Sequence, residues 1–72
     1  MREGEAELGM VRRHVEVGAR LIAKQRALIA RLRQRDLPTQ EAKALLILFE
    51  DVQRQHEEHL ARLELLEREG PA

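Results

Sequence analysis

Three histidines, His14, His56 and His59, are the side chains in this sequence best suited to metal or proton chemistry. His56 and His59 are three apart and project to one face if their segment is helical. His14 could join them from a facing helix, with Glu16, Glu57 or Glu58 completing a shell for zinc or another divalent ion. The spacing does not point to catalysis. His56-Glu57-Glu58-His59 lacks the four-residue separation of the metalloprotease motif, and no Glu-x-x-His pair occurs. A structural role accounts better for the same residues. An imidazole in a helical seam, given room by Gly18 and bonded to Gln25 or Gln55, would form a polar layer that fixes register and responds to pH, because histidine charges near about pH 6.5.

Other chemistry is sparse. Cysteine is absent, which removes disulfides and thiolate metal sites. A single aromatic residue, Phe49, leaves little with which to wall a cofactor pocket or stack bases. There is no nucleophile with a base, no Gly-rich phosphate loop and no paired-carboxylate pocket, so neither an enzyme nor a cofactor is expected.

Charge is balanced overall, 13 basic residues against 13 acidic, but it is segregated. Between Met10 and Arg35 eight basic residues face one acid, Glu16, whereas Gln40 to Glu69 carries four basic residues and eight acids. The basic half invites a nucleic-acid reading through phosphate contacts. Zero net charge, the lack of interleaved aromatics and the absence of a helix-turn-helix pattern argue against it. A charged protein partner suits the two faces better. Within the acidic half, Glu50 with Arg54, Glu58 with Arg62 and Glu64 with Arg68 have the order that supports a helix at i,i+4.

The elements that must carry these groups are helices. Leu8, Val11, Val15, Ile22, Ile29 and Leu32 mark one face, with Gly18 and Gln25 in the two gaps of the stripe and Leu21 and Leu28 on its flank. A second stripe runs Ala42, Leu45, Phe49, Val52, His56, His59, Leu63 and Leu66, with Leu46 and Leu60 beside it. Between the stripes Pro38 forces Leu37 out of helical geometry. A second helix then starts either with Pro38 as its first residue or with Thr39 as its cap, and Glu41 lies in its first turn. The pattern predicts one all-α domain over residues 1–72: helix at about 6–35, a turn at 36–39, and helix at about 39–69, ending before Gly70-Pro71. Gly4 and Gly9 predict a frayed start. So short a link makes the helices antiparallel, in a rod roughly 40 Å long. Antiparallel pairing about Leu37 is expected to set Gly18 opposite His56 and His14 near His59.

Such a hairpin leaves apolar surface uncovered. Leu45, Leu46, Ile47, Leu48 and Phe49 are consecutive and point nearly all round their helix, and one neighbouring helix covers only one side. With Leu21 and Leu28 they form the expected oligomer interface. Two hairpins stacked as a four-helix bundle would bury it, and a dimer is the favoured homo-oligomer. The longest apolar run is far too short to span a bilayer and no signal peptide is visible, so a cytoplasmic protein off the membrane is expected.

The run His14-Val15-Glu16-Val17-Gly18-Ala19-Arg20-Leu21-Ile22-Ala23-Lys24-Gln25-Arg26, with Leu28 to Leu32, Glu41 to Leu46 and Phe49-Glu50, resembles a group of small uncharacterised bacterial helical-hairpin proteins. The resemblance implies the hairpin and no established activity. The link of that group is polar and glycine-bearing, whereas here it is Leu37-Pro38. The expected function is a self-associating, non-enzymatic interaction or scaffolding module. A histidine-based metal- or pH-responsive bundle and a nucleic-acid binder are its rivals.

Overall fold

The computed structural model describes residues 3–70, with side-chain environments from Ala6 onward. Two helices, α1 (Glu3–Gln34) and α2 (Gln40–Glu69), fold back on each other as an all-α hairpin. The first helix is already formed at Glu3, ahead of the expected start near residue 6, and it runs through Gly4 and Gly9 without a break. Glycine costs roughly 1 kcal/mol in a helix interior. Burial of Leu8 and Val11 against α2 outweighs that cost here. With helices of 32 and 30 residues the rod extends 59 Å, longer than the expected 40 Å.

The turn closes by backbone hydrogen bonds that the proline alone did not announce. Leu37 N–H donates to the Leu32 carbonyl at 2.9 Å and Asp36 N–H to the Arg33 carbonyl at 3.1 Å, while Asp36 adopts a left-handed φ of 55°. This pair of bonds is the Schellman closure, which usually places glycine where Asp36 stands. Thr39 occupies the N-cap position of α2, but its hydroxyl makes no capping bond. The first helical bond there runs from Lys43 N–H to the Thr39 carbonyl at 2.9 Å. Glu41 lies in the first turn as expected. At the far end Gly70 N–H donates to the Glu67 carbonyl at 3.3 Å and the helix stops at Glu69. Pro71, expected as part of that stop, lies outside the described residues.

Along α1 the seam is Leu8, Val11, Val15, Gly18, Ile22, Gln25, Ile29 and Leu32, every one buried or half-buried. The expected stripe holds, gaps included. The facing seam on α2 differs. It runs Ala42, Leu46, Phe49, Gln53, His56, Leu60 and Leu63, in steps of four and three throughout. Leu45, Val52 and Leu66, expected inside, are exposed, and Gln53 takes the place expected for Val52. A strict alternation of three and four on both helices is the coiled-coil repeat. The buried apolar core among the described residues is nevertheless small: Leu8, Val11 and Ile29.

Candidate interaction surface

The seam is fixed by two amides that reach across it in opposite directions. Gln25 on α1 donates from Nε2 to the Ala42 carbonyl of α2 at 2.9 Å, and Gln53 on α2 donates from Nε2 to the Val15 carbonyl of α1 at 2.8 Å. Each amide sits where the opposing helix is thin. A Cβ at Gly18 would stand 2.8 Å from Gln53 Cδ and closer still to Oε1, so glycine is what lets the Gln53 side chain lie in the seam. Both glutamines are buried, and Gln53 Oε1 has no hydrogen-bond partner. Sliding either helix would strand a buried amide, which costs more than the bond itself contributes. The expected polar layer therefore exists, but Gln25 and Gln53 form it. Gly18 makes room for Gln53 and not for His56; the register differs from the expected one by three residues, close to one turn.

That shift redistributes the histidines. The His14 and His56 rings lie side by side, with centroids 5.2 Å apart and planes tilted by 37°. His59 turns away to Glu7, with Nε2 3.3 Å from Oε1. His14, expected near His59, is thus paired with His56. Among the described residues no group of three or more histidine, cysteine or acidic side chains is placed to hold a metal.

The two flanks of the hairpin differ in character. In an antiparallel pair of this repeat, the residues just after one seam row of α1 face their counterparts on α2. On that flank Arg26 Nη2 meets Glu50 Oε2 at 2.9 Å and Arg12 Nη2 meets Glu64 Oε2 at 3.5 Å. Glu50 and Glu64, expected to support α2 internally, bridge the hairpin instead, and Arg54 bonds Asp51 at 2.7 Å. These side chains are solvated, so each bridge contributes at most about 1 kcal/mol. Nearer the turn this flank carries a shallow groove lined by Arg26, Ile29, Arg33, Lys43, Leu46 and Ile47.

The opposite flank, marked at its far end by the Glu7–His59 contact, is apolar. Its inner rows are Glu7, His14, Leu21 and Leu28 on α1 and Leu45, Val52, His59 and Leu66 on α2, apolar in the part nearer the turn. Its outer rows add Met10, Val17 and Leu48. Of the ten large apolar residues exposed among the described residues, seven belong to this flank, most of them toward the turn and separated from Met10 and Leu66 by His14 and His59. The expected interface residues separate accordingly. Leu21, Leu28, Leu45 and Leu48 lie on the apolar flank, Leu46 and Phe49 are half-buried in the seam, and Ile47 sits on the bridged flank, 61% exposed. Met10, Val17, Val52 and Leu66 were not expected on it. Their signal was in the sequence, as the rows beside a strict three-four seam, once Gln53 rather than Val52 is placed inside.

No protein-family model, curated protein or solved structure matches this chain.

Proposed function

We propose that this chain is a non-enzymatic helical-hairpin module that self-associates through its apolar flank and acts as an interaction or scaffolding element. The observation that carries the reading is the concentration of exposed apolar side chains on one flank, beside a core of three buried apolar residues among those described. A chain this short rarely supplies enough burial alone, and covering the flank adds what the seam lacks. The bridged flank supports the same division, since its charges satisfy one another across the hairpin and leave it solvated. No helix among the described residues is long and apolar enough to cross a membrane.

Light scattering across micromolar concentrations tests the proposal. The expected mass is a dimer or a higher oligomer. Leu48→Glu, at a site 56% exposed in the single hairpin, should shift the mass to monomer and lower the melting temperature, while Gln34→Glu on an exposed turn-proximal site should change neither. A monomeric mass at every concentration with a cooperative melting transition overturns it.

A further inference from the structure

We infer that the occupant of the apolar flank is a second copy of this chain, related by a two-fold axis parallel to the rod. The two turns then lie at the same end, and α1 of each copy packs on α2 of the other. The inference rests on the self-association proposed above and specifies its geometry.

Two features of the flank select this arrangement. The first is charge. The edge of the flank along α1 is basic, with Arg13, Arg20, Lys24 and Arg31 in its outer rows, and the edge along α2 is acidic, with Glu41, Asp51 and Glu58. In the hairpin register, set by Gly18 against Gln53, Arg13 stands at the height of Glu58, Arg20 at that of Asp51 and Arg31 at that of Glu41. A two-fold axis along the rod keeps heights unchanged and lays each α1 over the partner's α2. Arg13, Arg20 and Arg31 then each meet an acid while Lys24 falls at the height of Ile47, and symmetry repeats the match on the other edge. Arg62, the basic residue of the acidic edge, falls at the height of Gly9, where it meets no like charge. The inverted stacking, with the axis across the rod, lays α1 on the partner's α1 and sets basic edge against basic edge.

The second feature is position. Leu21, Leu28, Leu45, Leu48 and Val52 all fall in the half of the rod nearer the turn, and Val17 lies just beyond its midpoint. Stacking with the turns together superposes these patches over their full length. Inverted stacking brings them together only if the rods slide apart and leave both far ends overhanging.

The absence of native cysteine makes orientation directly measurable. Gln34→Cys carrying a nitroxide spin label places one probe beside each turn. The expected distance between the labels of a dimer is below about 30 Å. Inverted stacking centred on the patches puts the turns roughly 40 Å apart, from about thirteen residues of helix on either side of the axis at 1.5 Å each. A distribution centred there overturns the inference while leaving self-association intact, whereas a monomeric mass overturns the reading beneath it. Charge reversal supplies a second readout. Arg13→Glu with Arg31→Glu, or Glu41→Arg with Glu58→Arg, should each raise the dimer dissociation constant at least tenfold at low salt. All four changes in one chain should restore it to within a few-fold, because basic and acidic edges have merely exchanged places. Helicity of each variant is followed by circular dichroism. If the fourfold variant is as helical as the parent but stays dissociated, the inference is overturned.

Discussion

Gly18 leaves no room for a Cβ beside Gln53, and the energetics of the pair set two opposing terms against each other. Alanine in place of glycine favours a helix by about 1 kcal/mol. At residue 18 it also drives the Gln53 amide from the seam and breaks the bond to Val15, a loss of about 1 kcal/mol. Gly18→Ala should therefore be nearly neutral in the parent but stabilising by about 1 kcal/mol when Gln53 is alanine. Denaturant titration of the four chains at one protein concentration gives the coupling, and strict additivity would show that the amide is not held by the glycine. The unpartnered Oε1 leads to a second expectation. Methionine matches glutamine in shape and carries no buried acceptor, and the Val15 carbonyl keeps its own helical bond. Gln53→Met should raise stability by about 1 kcal/mol. A loss of similar size would mean that the amide contributes more than its burial costs.

The two helices are long and uniform, so their weakest local point is the link between them. Asp36 sits at a left-handed φ of 55° in a closure that glycine adopts without steric cost. Aspartate tolerates this region better than most residues, but not as well as glycine. Asp36→Gly should stabilise the hairpin by roughly 0.5–1 kcal/mol, and Asp36→Val should destabilise it by at least as much, because a β-branched side chain is strained there. Thermal melts of the two variants at matched concentration test this, and the reverse order would contradict the closure. Pro38 ends no helix by itself in this arrangement. The backbone bonds of Asp36 and Leu37 already terminate α1, and the proline only bars its resumption.

At the scale of the whole molecule, charge divides the surface as clearly as apolarity does. Two of the arginines that made α1 attractive for nucleic acid, Arg12 and Arg26, are turned toward Glu64 and Glu50 of α2. Acids so close to the cations oppose the approach of a phosphate backbone. Fluorescence anisotropy with random duplex DNA near physiological salt should show no submicromolar binding. Tight binding that falls steeply with salt and is weakened by Arg20→Ala and Arg31→Ala would assign the basic edge to nucleic acid instead of to a second hairpin.

The sequence by itself determined the two helices, their antiparallel link and the seam of α1, because a repeat of three and four over eight positions is a statement about one helix and needs no partner to be read. It also announced an excess of apolar surface through Leu45 to Phe49. The face of α2 was not legible in the same way, since Val52 and Gln53 are adjacent and hydrophobicity alone prefers valine inside. Only the tertiary structure decided for Gln53, because the hole at Gly18 and the Val15 carbonyl exist for it only once the helices are paired. That choice turns α2 by one residue, moves the register by three, separates His59 from His14, and sends Leu45, Val52 and Leu66 to the flank. Helical periodicity is local and survives in the sequence, whereas register depends on which side chain fits which gap on another helix.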